Sequence, residues 1–372
     1  MKVGVLTAGS DTPGLNAAVR AIGKSIGKQP GWSLLGFLDG FQGLVEDRSM
    51  DLHADDFSGI LTTGGTILGT SRARFQDLPQ DSQDFELINQ AIKVIRQHQV
   101  DILICIGGKE TQESAKLLAD AGVKIITLPK AIDNDLYGTD YAIGFDTALG
   151  ITTEAVDRLH NSAHSSHRII ILGVMGRYAG WLTLAGGVAG GADVILIPEI
   201  PYDIKVIADA ILDRKAKGKR FSIIAVAEGA ISVENARFFD NALKVNQMIR
   251  SGPDQADVEL RITRIRDQGI DGVTLLANQL EHLTGLETRT SILGYLLRGG
   301  VPSAQDRFLA TKLGTICIEM IKEGVTNVMV GVQGDSFTAV PLSEVSGKHK
   351  LVSPNHPWLI SARYVGTCLG DQ

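Results

Sequence analysis

Cysteine is scarce in this sequence, and its spacing indicates neither disulfides nor a zinc site. The 372 residues include only Cys105, Cys317 and Cys368, with no CxxC pair. An odd, scattered set does not build the disulfide framework of a small secreted protein or the paired ligands of a structural zinc site. We therefore expect a protein of the reducing cytoplasm.

An excess of positive charge is also absent. Lysine and arginine total 36 against 42 aspartate and glutamate residues, a formal net charge of -6 at pH 7. This balance argues against a nucleic-acid or membrane partner, because DNA, RNA and anionic lipids attract basic surfaces. Any phosphate site must therefore be a local basic pocket.

The chain lacks a long apolar run of the kind that crosses a membrane. The nearest candidate, residues 180–198, is rich in glycine and contains Asp193, so we predict a helix followed by a buried strand there. The stretch VGVLTAG, from Val3, predicts a strand with no basic segment or cleavage site before it, and no signal peptide is expected.

The chain instead contains short apolar runs that alternate with stretches of helical spacing. Such runs predict strands buried on both faces of a parallel sheet. They are residues 3–7, 34–38, 102–106, 124–128, 169–174, 194–197, 222–227 and 328–332. The predicted helices are residues 15–26, 85–98, 147–161, 204–217, 275–284 and 308–322. The alternation predicts an α/β fold with helices on both sheet faces, and the length predicts two domains.

The loops after the predicted strands are where a site is expected, because ligands bind at the carboxyl ends of parallel strands. TAGSDTPGLNAAVR (residues 7–20) contains Gly9 and Gly14 just before a predicted helix, which favours an anion site or an ordinary glycine turn. GGKE (residues 107–110) follows another strand.

Residues 231–271 break the alternation and, being rich in charge, indicate a surface insertion.

Arginine and acidic residues extend this pattern. GGTILGTSRAR (residues 64–74) ends in Arg72 and Arg74, which suit phosphate oxygens or are ordinary surface charge. LPKAIDND (residues 128–135) places a lysine, an asparagine and two aspartates after a strand. That set suits a general base with a metal or hydrogen-bonding partner, or else a capped turn.

Taken together, these motifs resemble the 6-phosphofructokinase family over nearly the whole chain. PGLNAA, GGT, IDND, GTDY, GFDTA, MGR and RGG occur in the family's order and spacing, most like the bacterial branch that mixes pyrophosphate- and ATP-dependent members. The resemblance implies two Rossmann-like lobes with mainly parallel sheets flanked by helices. A larger donor-binding lobe would comprise residues 1–144 and about 297–347, and a smaller sugar-phosphate-binding lobe residues 145–296 and about 348–372. A homo-oligomer, a dimer or tetramer, is also implied.

The resemblance further implies transfer of a phosphoryl group to the 1-hydroxyl of fructose 6-phosphate, giving fructose 1,6-bisphosphate in glycolysis. Asp133 would be the general base, Asp135 would lie beside it near Mg²⁺, and Arg72 and Arg177 would act on the transferring group. The implied sugar-phosphate contacts are Ala131, Arg168, Met175, Gly176, Arg177, Glu228, Arg289, Tyr295 and Arg298, some across a subunit boundary. The implied donor contacts are Gly9, Ser10, Arg72, Gly107, Gly108, Lys109, Glu110, Thr111 and Lys130.

Several residues depart from the family's pattern. Ser10 replaces a glycine, Ala131 a threonine and Tyr295 a histidine. Lys109 stands where the family carries a magnesium-binding Asp or Glu. Three roles are open for it: it contacts the donor, it pairs with Glu110 or another acid while magnesium is held elsewhere, or it marks a chain without turnover.

The residue after Lys109 bears on the phosphoryl donor. Within the family a glycine there accompanies ATP use, whereas an aspartate there with a lysine at the position of Lys130 accompanies pyrophosphate; Glu110 and Lys130 are closer to the second pairing. Glu110 would repel the α-phosphate of a nucleotide, and Lys130 would neutralise a compact donor. We therefore predict a pyrophosphate-dependent transferase. The alternatives are an ATP-dependent 6-phosphofructokinase and a catalytically silent, sugar-phosphate-binding regulatory subunit.

Overall fold

The computed structural model describes residues 1–73, 75, 83–237 and 269–372. The chain divides into two compact units, Met1–Ala148 with Arg298–Lys350, and Leu149–Leu297 with Leu351–Gln372. Strands and helices alternate in both, and the predicted α/β class with mainly parallel sheets is confirmed. Arg74 and most of the predicted insertion, residues 238–268, lie outside the described residues.

The first unit is built on a seven-stranded sheet. Its strands are β1 (Lys2–Thr7), β2 (Ser33–Phe37), β3 (Ser49–Leu52), β4 (Ile102–Gly107), β5 (Ile125–Pro129), β10 (Val328–Gln333) and β11 (Ser336–Pro341). Their order is β11-β10-β5-β4-β1-β2-β3. The five inner strands pair in parallel, and β3 and β11 are antiparallel edges. β4 and β5 are buried along their whole length, as their continuous apolar runs predict.

Helices cover both faces of this sheet. They are α1 (Leu15–Ile26), α2 (Gly40–Val45), α3 (Gln83–Gln97), α4 (Lys109–Asp120), α9 (Ala304–Lys322) and α10 (Leu342–Val345), and α5 (Phe145–Ser166) begins in this unit. Successive residues of β4 enter different cores: Ile104 packs with side chains of α1 and α9, and Leu103 with side chains of α3 and α4. A parallel sheet buried in this way must open to ligands at its strand ends.

The second unit contains a four-stranded, fully parallel sheet. Its strands are β6 (Ile169–Val174), β7 (Val194–Leu196), β8 (Ser222–Ala227) and β9 (Thr288–Ile292), in the order β7-β8-β6-β9. The helices are α6 (Trp181–Gly190), α7 (Ile204–Ala216), α8 (Gly269–Thr284) and α11 (Pro357–Tyr364). α6 followed by β7 confirms the helix and strand predicted for residues 180–198. In the described part of the chain, no helix has the length and apolar character needed to cross a membrane.

Asp306 fastens the start of α9 to the start of α5. Its carboxylate accepts hydrogen bonds from the backbone N–H of Gly144 (2.9 Å), the N–H of Thr147 (2.8 Å) and the hydroxyl of Thr147 (2.5 Å). The side chain is 1% exposed, and desolvation raises the pKa of this carboxyl although the bonds from Thr147 and Gly144 oppose the rise. The loop that ends at Gly144 also carries Asp133, so Asp306 anchors a predicted catalytic loop.

Asp306→Ala is therefore expected to lower the free energy of unfolding by about 2 to 3 kcal/mol, because it leaves buried N–H groups without an acceptor. Urea denaturation followed by fluorescence measures the change. The matched control is Asp335→Ala, which removes an exposed carboxyl and is expected to shift stability by about 0.5 kcal/mol or less. Equal effects of the two substitutions would contradict the anchoring role.

Candidate active site

The strand order of the first unit reverses between β1 and β4. The chain passes from β1 to β2 on one side, and β4 lies on the other side of β1. Ligands of open α/β sheets bind outside the carboxyl ends of strands that flank such a reversal. Gly9 lies in the loop after β1, Gly107 ends β4, and Gly108 follows it. Both glycine motifs therefore lie at the point of the sheet best suited to a ligand.

Hydrogen bonds join the loop after β1 to the segment that carries Arg72. The backbone N–H of Gly9 donates to the carbonyl of Ser71 (2.8 Å), and the Thr70 hydroxyl donates to the carbonyl of Gly9 (2.7 Å). Gly9 has a φ of 82°, a left-handed conformation that suits glycine. These contacts bring the exposed side chain of Arg72 beside the predicted donor residues Gly9 and Ser10.

The loop after β4 is closely packed against the helix that follows it. A Cβ atom at Gly107 would lie 2.1 Å from Oγ1 of Thr111, so only glycine fits there. α4 begins at Lys109, directly after Gly108, which has no side chain to cap the helix. The positive end of a helix dipole favours an anion. The predicted donor residues 107–111 are thus gathered at one helix terminus.

Lys130 lies beneath the first glycine loop. It follows β5 directly, is 3% exposed, and donates a hydrogen bond to the carbonyl of Ser10. A Cβ atom at Gly9 would lie 3.5 Å from its Nζ. The lysine therefore supports the loop from inside the protein as well as adding positive charge to it.

The pKa of Lys130 reveals which charges surround it. The pKa is lowered to about 8, mainly by desolvation and also by the positive charges of Arg298 and Arg72, while Asp11 and Glu110 oppose the change. Such effects weaken with distance, so these charges lie in the surroundings of Lys130. Three cations and two acids therefore share one neighbourhood of the first unit, which favours an anionic ligand.

Asn134 shapes the loop that carries Asp133 and Asp135. It is 2% exposed and has a φ of 50°. Its Nδ2 donates to the carbonyl of Asp140 (2.9 Å), and its Oδ1 accepts from the N–H of Ala142 (3.0 Å). Asn134 thus closes the turn, as the capped-turn alternative predicts, and the two flanking aspartates remain half-buried.

Lys350 supports the same loop from a distant part of the sequence. Its ammonium donates to the carbonyls of Thr139 (2.9 Å) and Asp140 (2.8 Å), and its backbone N–H donates to the carbonyl of Asp135 (2.8 Å). Burial lowers the pKa of Lys350 to about 8, although Asp140 and Asp135 oppose the change. The lysine therefore restrains the backbone on the side of the loop that follows Asp135.

His349 connects two of the predicted site residues. Nζ of Lys109 lies 2.8 Å from Nε2 of His349 and 3.7 Å from Oε1 of Glu113, and Nδ1 of His349 lies 3.4 Å from Oδ2 of Asp135. An acid that pairs with Lys109 is therefore Glu113, one helical turn further along α4. No sequence motif marks His349 or Lys350, which lie in GKHK (residues 347–350).

These residues do not fit a magnesium ion held by the protein. Magnesium takes oxygen ligands in octahedral geometry, whereas the imidazole of His349 lies 3.4 Å from the carboxylate of Asp135 and the Lys109 ammonium lies on the other side of that ring. Within the ranges that the structure describes, no three His, Cys, Asp or Glu side chains are grouped to hold a metal. The metal role of Asp135 stays a prediction, and it has no set of protein ligands around it.

In the second unit, two neighbouring strands bring predicted sugar-phosphate residues together. Residues 175–177 follow β6, and Glu228 follows β8. The N–H of Glu228 donates to the carbonyl of Val174, the last residue of β6 (2.9 Å), and the N–H of Gly229 donates to the carbonyl of Gly176 (3.1 Å). A Cβ atom at Gly229 would lie 2.1 Å from the carbonyl oxygen of Arg177. Met175, Gly176, Arg177 and Glu228 therefore form one cluster at the carboxyl end of the sheet.

Two other predicted arginines lie at the amino end of that sheet. Arg168 immediately precedes β6, and Arg289 is the second residue of β9. Both form ion pairs with Glu287. Nε of Arg168 lies 2.6 Å from Oε2 of Glu287, and Arg289 pairs with the other carboxylate oxygen. Since a strand rises about 3.3 Å per residue, the six residues of β6 separate these arginines from Arg177 and Glu228 by about 20 Å. Within one chain, the predicted set is thus divided.

The remaining predicted residues lie near the ends of these elements. Ala131 follows Lys130, and its N–H donates to the carbonyl of Ile143 (3.2 Å). Tyr295 and Arg298 belong to a 3₁₀ turn, Gly294–Arg298. Tyr295 is 72% exposed, which gives this aromatic side chain access to a ligand or a partner.

Comparison with known proteins places the chain in a family. A phosphofructokinase family model matches residues 2–321. The ATP-dependent 6-phosphofructokinase of Propionibacterium freudenreichii subsp. shermanii is 48% identical over 100% of both chains. The pyrophosphate–fructose 6-phosphate 1-phosphotransferase of Amycolatopsis methanolica is 38% identical over 95% of this chain and 97% of its own. The crystal structure of Pichia pastoris phosphofructokinase in the T-state is 29% identical, with a TM-score of 0.75 over 92% of this chain and 35% of its own. The chain therefore belongs to the phosphofructokinase family.

Proposed function

We propose that the protein is an ATP-dependent 6-phosphofructokinase of cytoplasmic glycolysis. The observation that carries this proposal is the 48% identity, over the full length of both chains, to a protein of that name. The relative named for pyrophosphate is less similar, at 38%. The comparisons thus favour the ATP alternative over the pyrophosphate donor that Glu110 and Lys130 predict.

The position of Lys130 is compatible with this change of donor. The pyrophosphate prediction treats its ammonium as a group that neutralises a compact donor. In the structure that ammonium is buried and donates to the carbonyl of Ser10. One N–H of the ammonium is therefore occupied by the Ser10 carbonyl. The positive charge of Lys130 then acts on the donor mainly as an electrostatic attraction at a distance.

The first unit supplies the groups needed for phosphoryl transfer. As the 1-hydroxyl oxygen of fructose 6-phosphate bonds to the terminal phosphorus, Asp133 accepts the hydroxyl proton. The bond from that phosphorus to the leaving phosphate oxygen breaks, and negative charge passes to the leaving group. Arg72, Lys130 and Arg298 offset that charge. Any magnesium enters as part of the nucleotide substrate.

The second unit supplies the cluster formed by Met175, Gly176, Arg177 and Glu228, which would hold the sugar phosphate. Arg168 and Arg289 lie at the other end of their sheet. We therefore expect them to act on the substrate of a second copy in a homo-oligomer, as the family resemblance implies. In a monomeric protein, Arg168 and Arg289 would have no substrate of a second copy to contact.

The test is turnover of fructose 6-phosphate by the purified full-length protein, with ATP and pyrophosphate compared at equal concentrations and fructose 1,6-bisphosphate measured directly. Faster turnover with ATP is expected. Turnover with pyrophosphate alone would support the second candidate, a pyrophosphate-dependent transferase, which the pair of Glu110 and Lys130 favours. Sugar-phosphate binding without turnover from either donor would identify the chain as a silent regulatory subunit.

A further inference from the structure

We propose that His349 is a positioning residue, which holds Lys109 so that the lysine ammonium binds the terminal phosphates of the donor directly. The inference rests on the proposed function, because it concerns the same phosphoryl-transfer site. It assigns a role to a histidine that no sequence motif marks, and it selects one of the three roles open for Lys109.

The contact geometry fixes how the imidazole is used. A lysine ammonium can only donate hydrogen bonds, so Nε2 of His349, 2.8 Å from Nζ of Lys109, is the acceptor. A neutral imidazole then carries its proton on Nδ1, which lies 3.4 Å from Oδ2 of Asp135. A single ring therefore orients the lysine on one side and faces the carboxylate loop on the other.

Glu113 restrains the lysine from a second direction. Its carboxylate lies 3.7 Å from Nζ of Lys109 and four residues further along α4. A lysine side chain loses about 2 kcal/mol of rotamer entropy when it is immobilised. Here His349 and Glu113 restrict it before the donor arrives, so less of that cost falls on donor binding.

The place of Lys109 in the fold supports an anionic ligand. It is the first residue of α4, directly after the glycines that end β4 at the strand-order reversal. A cation at a helix N-terminus is opposed by the helix dipole, by about 0.3 to 1 kcal/mol. A polyphosphate placed there would neutralise the lysine and also accept from the helix N–H groups.

The same geometry accounts for a lysine at the position of the family's metal ligand. The surroundings of Asp135 do not fit a protein-held magnesium ion, and the ammonium of Lys109, on the other side of the His349 ring, supplies positive charge instead. The chemistry recognised is a phosphoanhydride, from a nucleoside triphosphate or from pyrophosphate. Donor binding should therefore persist when the metal is removed, and it should depend on Lys109.

Calorimetric titration tests this with ATP and with pyrophosphate, each in EDTA, against the full-length wild-type protein, Lys109→Met, His349→Ala and His349→Gln. Wild-type protein is expected to bind the donor without metal. Lys109→Met should weaken that binding by about 10- to 100-fold, the worth of a charge-assisted hydrogen bond. His349→Ala should weaken it by about tenfold, and His349→Gln, whose amide oxygen can accept from Lys109, should recover most of the loss.

Lys116→Met is the matched control, because Lys116 is also on α4 and pairs with the carboxylate four residues later, Asp120 (2.5 Å). Its donor affinity should equal that of the wild type. In steady-state assays His349→Ala should raise the KM for the donor and leave the KM for fructose 6-phosphate unchanged. A residue with a merely structural role would alter both constants, and glutamine would not restore them.

The outcomes separate this inference from the proposed function. Lys109→Met protein that still binds fructose 6-phosphate, yet binds both donors in EDTA as tightly as the wild type, would overturn the inference alone. Wild-type protein that binds neither donor without metal would also overturn it. Lysine-dependent donor binding in a protein that turns over no fructose 6-phosphate would uphold the inference and refute the enzymatic function. The ATP and pyrophosphate titrations identify the preferred donor.

Discussion

Asp133→Asn is expected to lower kcat for fructose 6-phosphate phosphorylation by about 10²- to 10⁴-fold, the range that a general base contributes. The amide has nearly the same shape as the carboxylate but does not accept the hydroxyl proton. The loop should keep its conformation, because Asn134 and Lys350 hold its backbone. Steady-state kinetics measure kcat, and calorimetry with fructose 6-phosphate is expected to show unchanged binding.

Asp140→Asn is the matched control on the same loop. The carboxylate of Asp140 accepts from the N–H of Gly334 (2.7 Å) at the surface, and an asparagine oxygen can also accept that bond. This variant should retain turnover. If Asp133→Asn retained kcat within about threefold of the wild type, the proton would have to be accepted by another group, and Asp133 would lose its proposed role.

The inner strands were predictable because their burial leaves a plain signal in the sequence. β4, β5, β6 and β8 are buried at every residue, so each is almost entirely apolar, with Thr127 in β5 and Ser222 in β8 as the polar exceptions. The edge strands β9 and β11 carry no such signal, although β7, which is also an edge strand, is a buried apolar run. β9 is TRTSI, largely solvent-accessible, and β11 is exposed at three of its six residues. β9 and β11 are strands because they pair with β6 and β10, respectively, and this pairing cannot be predicted from the local sequence.

The chemistry of the site was partly predictable for a similar reason. Loops that follow neighbouring parallel strands must meet at one edge of the sheet, so Gly9, Gly108 and Lys130 come together. His349 and Lys350 were not predictable. Lys109 and His349 are 240 residues apart, and Lys350 lies 211 residues from Thr139. Only the tertiary structure places such distant residues in contact.

The position of each arginine relative to a predicted strand shows at which end of the sheet it lies. Arg177 follows an apolar run, whereas Arg168 precedes the same run, so the two must lie at opposite ends of β6. Grouping them by residue type alone would put both in one pocket of one chain. The predicted donor preference rests on the charges of Glu110 and Lys130 alone, and the contact between Lys130 and the Ser10 carbonyl cannot be seen from those charges.

Lys130→Met is expected to weaken donor binding by about 10- to 100-fold, because it removes a positive charge from the donor loop. In the wild-type protein, donor affinity should also fall, by a smaller amount, as the pH rises. Burial lowers the pKa of Lys130 to about 8 from its ordinary value of 10.5, so the side chain loses its charge as the pH rises through 8. Donor affinity, measured by calorimetry from about pH 7 to pH 9.5, should fall across this range.

Stability is expected to change in the opposite direction over the same pH range, which distinguishes the loss of affinity from unfolding. Between the folded pKa of about 8 and the ordinary value of 10.5, the folded state binds fewer protons at Lys130 than the unfolded state. The free energy of unfolding therefore gains a contribution that rises with pH. Lys350 has a pKa lowered to about 8 by burial as well, so it adds to this rise.

Comparison of the wild type with Lys130→Met isolates Lys130 from Lys350, because the variant keeps Lys350. The variant's donor affinity should change less between pH 7 and pH 9.5 than that of the wild type, while Lys350 still contributes its part of the stability rise. Equal pH dependence of donor affinity in the two proteins would show that the Lys130 charge does not act on the donor, and that the lysine serves only to hold the carbonyl of Ser10.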